Sequence, residues 1–241
     1  MQKEKIYAMI PARYGSTRLK MKNLALINGK PMISYAINAS KNSKVFEKIV
    51  VNSDHEIYKT ISSQNQVSFY HRPNDLASSV AKSDSVVEDF MKSFPEADIV
   101  AWVNPIAPFQ TSEEIEKVLM YFLNKKLDSL ITVQDMQVHC NYKNQPVNYA
   151  PDGLFEQTQD LTPVQPFVYS LMIWRKESFL KEFNEKGHAL FCGKFGTYPV
   201  SKTSGFIIKT SEDLKIADLL MQSLDNFKDE YIVEYDNSIS D

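Results

Sequence analysis

Short apolar runs alternate along this chain with segments of helical period, and that alternation constrains the fold more than any other feature. Strands of a parallel sheet need crossover connections, so the pattern predicts an α/β fold with a mostly parallel sheet between helical layers. Lys5–Pro11 (KIYAMIP), Lys48–Ser53 (KIVVNS), Val67–Tyr70, Asp98–Val103 (DIVAWV) and Ser129–Val133 read as strands. Pro31–Ser43, Asp54–Gln64, Lys82–Ser93 and Thr111–Lys126 read as the intervening helices. Pro31 falls at a first helical position. Thr111 and Ser112 are cap candidates, with Glu113 and Glu114 in the first turn, where the helix dipole favours acids. With 241 residues and 43% apolar content the chain can bury one large core, which predicts a single domain spanning residues 1–241.

Periodicity fails between Gln134 and Pro166, where Asn, Gln, Pro and Tyr dominate. The aromatic residues in and beside this stretch argue against disorder. They predict a β-rich insertion over residues 134–166 that packs over the sheet as a lid or, in a homodimer, against a second subunit. Regular pattern then returns with strands at Phe167–Trp174 and Phe195–Val200 and helices at Lys176–Lys186 and Ser211–Ser223. The acidic stretch Asp225–Asp241 reads as partly frayed.

Several function classes are disfavoured by simple features. A net charge of −3 with both signs interspersed leaves no basic stripe for a nucleic acid. Met1–Lys5 is polar and the first apolar run stops at Pro11, so neither a signal segment nor a membrane span is expected, and the expected location is the cytoplasm. Cys140 and Cys192 have no metal-ligand or disulfide-framework spacing. His55, His71, His139 and His188 are scattered, without a nucleophile at base spacing, and read as non-catalytic.

The chemistry concentrates after the first strand, in Pro11-Ala12-Arg13-Tyr14-Gly15-Ser16-Thr17-Arg18-Leu19-Lys20-Met21-Lys22-Asn23-Leu24. Small residues let backbone N–H groups approach phosphate oxygens, and the four cations neutralise charge. The spacing is neither G-x-x-x-x-G-K-[ST] nor G-x-G-x-x-G, which disfavours a P-loop ATPase and a dinucleotide-dependent dehydrogenase. A solvated basic turn is the plain alternative for such a loop.

The stretch IPARYGSTRLKMKNLALINGKPMISYAI resembles the N-terminal signature of acylneuraminate (CMP-acidic-sugar) cytidylyltransferases, IPAR-x-GS-x-R-x-x-x-KN followed by GKP. Further matches follow in family order: Val51-Asn52-Ser53-Asp54; Arg72-Pro73 with Leu76-Ala77 and Ser83; Asn104-Pro105-x-x-Pro108; and Thr210-x-Glu212-Asp213-Leu214. The resemblance implies a Rossmann-like three-layer nucleotidyltransferase fold that uses CTP, with Mg²⁺ carried on the nucleotide, to activate an acidic small-molecule acceptor for surface-glycan or polysaccharide synthesis. It implies that Arg13 and Lys22 are catalytic, stabilising charge on the pyrophosphate leaving group. Ala12, Gly15, Ser16, Asn23, Ser53, Arg72, Ala81 and Ser83 would hold the nucleotide, with Arg72 and the backbone of Ala12 and Ala81 reading cytosine and Ser83 meeting the ribose. Arg18 and Lys20 read as solvent-facing charges that steer CTP inward.

The chain departs from the family pattern at two places. Where sialic acid cytidylyltransferases carry D-x-D before TxEDL, this sequence has Ile207 and Lys209, so its metal ligands are unknown. Where the family brings an Arg toward the sugar carboxylate this chain has Thr158, Ser170-Leu171 replaces Asn-Gly, and Asn104 replaces Gln. Asn104, Gln159, Gln165, Tyr169 and Lys209 are the candidates for an altered acceptor pocket. The expected reaction is CMP transfer to a nonulosonate-like acid. The alternative is a catalytically silent CTP- or sugar-binding paralogue, and a nucleotide-sugar pyrophosphorylase is disfavoured because its G-x-G-x-R loop is absent.

Overall fold

The computed structural model describes residues 4–16 and 19–226. In chain order the elements are β1 (Ile6–Pro11), β2 (Leu26–Ile27), β3 (Lys30–Pro31), α1 (Met32–Ser43), β4 (Lys48–Ser53), α2 (Ile57–Gln64), β5 (Ser68–His71), α3 (Ser83–Ser93), β6 (Ile99–Val103) and α4 (Ser112–Asn124). They continue with β7 (Ser129–Val133), β8 (Asn141–Tyr142), β9 (Gln145–Pro146), β10 (Phe167–Arg175), α5 (Lys176–Lys186), β11 (Phe195–Pro199) and α6 (Ser211–Asn226). Seven strands form the central sheet in the order β11-β7-β10-β6-β1-β4-β5. All neighbours run parallel except β10, which is antiparallel to both β6 and β7.

Strand alternation divides the core into two layers. Ile6, Ala8 and Ile10 of β1, Ile99, Ala101 and Val103 of β6, and Leu171 and Ile173 of β10 face one side, with α1 and α4 packed over them. Tyr7, Met9, Val100, Met172 and Trp174 face the other, under α3 and α5. Both faces are covered, which is why these strands read as continuous apolar runs rather than as alternating ones. A smaller cluster of Ile27, Met32, Phe109, Ile208 and Ala217 seats α6 against β2.

Helix starts differ from the sequence expectation where a side chain has other work. Helix α1 begins at Met32, because Pro31 pairs with Leu26 in the β2–β3 turn. Helix α2 begins at Ile57 rather than Asp54, because the Asp54 carboxylate accepts the N–H of Tyr14 at 2.9 Å. Thr111 caps α4 through Glu114 N–H at 3.2 Å. The cap of α6 is Thr210: its hydroxyl accepts Asp213 N–H while the Asp213 carboxylate accepts the N–H of Thr210, a reciprocal capping box. Residues 134–166 contain the β8–β9 ribbon and a bridge between Met136 and Val164, so the excursion leaves from the end of β7 and returns to β10. The stretch 227–241 lies outside the described residues.

Candidate active site

The chain passes from β1 outward through β4 to β5, then crosses back to β6 on the other side of β1. The crevice between β1 and β6, at the carboxyl ends of the parallel strands, is therefore a topological switch point, where ligands of open α/β sheets bind. A cleft of about 300 Å³ opens there, bordered by the loop after β1, the segment from Arg72 to Ser83 and the loop after β6.

Local contacts explain how the loop after β1 is held. Ala12 is buried and prolongs the pairing with β4 through its N–H to Asn52 O at 2.9 Å. The Tyr14 ring stacks on His55 with centroids 3.9 Å apart. Together with the Asp54 bond, this fixes the loop to the end of β4. Arg13 reaches across the cleft and donates to Ser78 O at 3.1 Å. Met21 adopts a left-handed φ of 47° and starts the single turn Lys22–Leu24, which turns Lys22 and the buried Asn23 to the cleft. A Cβ at Gly15 would meet no atom within 4 Å, so packing does not require glycine there. Ser16 lines the cleft, whereas Thr17 and Arg18 lie outside the described residues.

On the opposite wall Arg72 is only 4% exposed, and its Nε and Nη2 have no partner among the described residues. Burial lowers its pKa; Asp54 opposes that shift and Arg13 adds to it. A guanidinium cannot lose its proton in water near neutral pH, so Arg72 remains a desolvated cation. Ala81 and Ser83, the first residue of α3, complete this wall.

Of the sequence candidates, Arg13, Ser16, Lys22, Asn23, Arg72, Ala81, Ser83 and Asn104 come together along the cleft. Ser53 is fully buried beneath it: its hydroxyl accepts His55 N–H and its carbonyl accepts Arg72 N–H, so it builds the support under the wall. Tyr169 adjoins the cleft through its carbonyl, which accepts from Asn104 Nδ2 at 3.1 Å. Its φ of 56° is uncommon for an aromatic residue and coincides with a register shift in the β10–β7 pairing.

The remaining acceptor candidates are elsewhere. Gln165 spends its amide on Asp135 and Thr197, tying the insertion to β11. Gln159 bonds Gln157 within the insertion. Lys209 is held through its backbone N–H to Asp213 Oδ2 and does not border the cleft. Two groups missed from the sequence do: the Ser78 carbonyl, which no side-chain pattern signals, and Trp102, which reads as core in DIVAWV although it is two residues before Asn104 and so shares its face.

Arg13, Lys22 and Arg72 are the charged groups along the cleft wall, and no carboxylate borders it among the described residues. The nearby acids are occupied: Asp54 holds Tyr14, and Asp213 caps α6. Burial alone would raise the Asp213 pKa, but the N–H groups of Lys209 and Thr210 outweigh it and hold the carboxylate below its ordinary range. No group of three His, Cys, Asp or Glu able to hold a metal ion occurs among the described residues. The donor set therefore does not fit a protein-held divalent cation; it fits a polyanion. A larger hollow of about 590 Å³ lies at the opposite end of the strands beside Lys5 and Asp98, where Arg175 is paired with Glu4 and Lys176 donates to Pro95 O.

Comparison with known proteins agrees with this geometry. A family model described as cytidylyltransferase matches residues 7–218. The N-acylneuraminate cytidylyltransferase of Streptococcus agalactiae serotype III (strain NEM316) is 25% identical over 213 residues, covering 85% of this chain and 50% of that protein. This chain thus spans about half the length of such relatives. The post-translational flagellin modification protein B of Campylobacter coli is 26% identical over 228 residues, covering 90% of this chain and 95% of that one. Among solved structures, a CMP:2-keto-3-deoxy-manno-octonic acid synthetase complexed with CTP superposes with a TM-score of 0.70 at 19% identity, covering 92% of this chain and 100% of that one, which shows a shared Rossmann-like nucleotidyltransferase fold. Among the described residues no helix is long and apolar enough to cross a membrane. From the cationic loop after β1 to the α6 cap, the matched span takes in every wall of the cleft, and the chain belongs to the cytidylyltransferase family.

Proposed function

We propose that the protein transfers CMP from CTP to an acidic sugar of the 2-keto-3-deoxy class. The anomeric hydroxyl oxygen attacks the α-phosphorus, the bond to the β-phosphate oxygen breaks, pyrophosphate leaves and the hydroxyl proton passes to solvent. The observation that carries this reading is the cleft at the β1–β6 switch point, with three cations and no bordering carboxylate among the described residues, in a chain of this family. Arg13 and Lys22, both on the cleft, stabilise charge developing on the leaving pyrophosphate in this reading. Arg72, with the backbone of Ala12 and Ala81, reads the cytosine; Asn23, Gly15 and Ser16 hold the nucleotide near the loop; Ser83 meets the ribose. Mg²⁺ arrives as a counter-ion of CTP. We place the protein in the cytoplasm as a homodimer paired through residues 134–166, serving surface-glycan synthesis.

Incubation with CTP, Mg²⁺ and a panel of 2-keto-3-deoxy acids tests this directly. Pyrophosphate release with at least one acid is the expected outcome, and none with any acid would remove the catalytic reading. The missing carboxylates at Ile207 and Lys209 favour a second reading, a paralogue that binds CTP without turnover. CTP binding without pyrophosphate release would select it.

A further inference from the structure

Trp102 borders the cleft at the carboxyl end of β6, yet its indole N–H is shielded from water and has no acceptor among the described residues. An indole nitrogen only donates, and a buried one usually finds a partner. Trp174 illustrates the usual condition, donating to Leu190 O at 2.9 Å. Its neighbours across the strands on its own face of the sheet, Met9 of β1 and Met172 of β10, offer only thioethers. A thioether is a weak acceptor.

Its position assigns the missing acceptor to a particular ligand. Strands β4 and β5, whose ends lead to Arg72, lie on one side of β1, while β6 and β10 lie on the other. Trp102 is thus on the β10 side of the phosphate loop. Asn104 shares its face two residues on, but the Asn104 amide N–H is committed to Tyr169 O, and Thr158 supplies no cation. The cations Arg13, Lys22 and Arg72 line the nucleotide side of the cleft; among the described residues, its acceptor end has the unmatched indole.

We infer that Trp102 is a specificity-determining residue of the acceptor subsite, donating its indole N–H to a carboxylate or hydroxyl oxygen of the acidic sugar while its ring floors the subsite. This rests on the CMP-transfer reading. The N–H is covered in the ligand-free cleft, so local opening must precede contact. The Arg13–Ser78 bond spans the cleft on the nucleotide side.

The experiment uses the full chain labelled with ¹⁵N-tryptophan, whose two indole signals are assigned with Trp102→Phe. The probes are a CTP analogue with a methylene between the α- and β-phosphorus, which cannot release pyrophosphate, followed by N-acetylneuraminate, 3-deoxy-manno-octulosonate and further 2-keto-3-deoxy acids one at a time. The analogue alone should leave the Trp102 indole signal nearly in place, and at least one acid should then shift it, with the Trp174 signal constant as the internal check on folding. Trp102→Phe should keep affinity for the analogue within about threefold and weaken that acid about tenfold, the size of effect expected for one hydrogen bond to a charged group. A shift produced by the analogue alone, no shift with any acid, or unchanged acid affinity in Trp102→Phe each overturns the assignment. Failure of the analogue to bind at all, read separately by calorimetry, overturns the CMP-transfer reading and this assignment with it.

Discussion

Arg13 donates from Nη1 to the carbonyl of Ser78 at 3.1 Å, joining the loop after β1 to the loop before α3 across the mouth of the cleft. The guanidinium proposed to meet the phosphates thus already bridges both walls. Binding exchanges a neutral carbonyl partner for a charged one, and charge-assisted bonds to phosphate are the stronger.

Removing that cation, or Lys22, is expected to weaken CTP binding tenfold or more. Loss of one charge-assisted phosphate contact costs about 1.5–3 kcal/mol. Calorimetric titration of Arg13→Ala and Lys22→Ala checks this, and unchanged affinity in both would take the loop out of the site.

Arg72 separates stability from binding. Its guanidinium is desolvated with Nε and Nη2 unmatched among the described residues, a desolvation cost that an apolar side chain would not carry. Arg72→Leu is expected to unfold at the same or a higher urea concentration than the parent while losing at least tenfold in CTP affinity. A large drop in the urea midpoint would show that Arg72 is a structural residue instead.

Asp213 gives a pH dependence with a definite sign. Its pKa is held below the unfolded value of about 3.9, so its contribution is present above that pH and disappears as pH falls through the lower folded pKa. Asp213→Ala should cost about 1 kcal/mol at pH 7, the usual scale for a helix cap, and progressively less below pH 4. Urea unfolding of both proteins at pH 7 and pH 3 measures the difference; an equal cost at both pH values would rule out the carboxylate as its source.

Lys209 stands at a metal-ligand place of the family pattern but is anchored through its backbone, away from the cleft border. Lys209→Ala is expected to change CTP affinity and Mg²⁺ dependence less than twofold, while Lys22→Ala changes CTP affinity strongly. A Lys209→Ala variant with altered Mg²⁺ dependence would return this side chain to the site.

If residues 134–166 pair two copies, the chain should sediment with the mass of a dimer at micromolar concentration. Exposed Tyr142, Val147 and Phe155 supply apolar area for such a contact. A monomer across that range would reject the pairing.

Sequence alone determined the layer architecture, because strands covered on both faces must be apolar throughout and their crossovers must carry helical period. It also marked the loop from Ala12 to Asn23, where small residues and cations follow a strand with no packing reason to do so. What it left open depends on partners distant in the chain. Gln159, Gln165 and Lys209 carry groups suited to an acidic acceptor, but only tertiary structure shows the glutamines bonded within or beside the insertion and Lys209 held at the α6 cap. Trp102 was hidden for the opposite reason: in DIVAWV an indole looks like core, and its unmatched N–H appears only once β1 and β10 place methionines on either side of it. Periodicity is a local property that a sequence carries openly, whereas hydrogen-bond satisfaction belongs to pairs of residues that only the folded chain brings together.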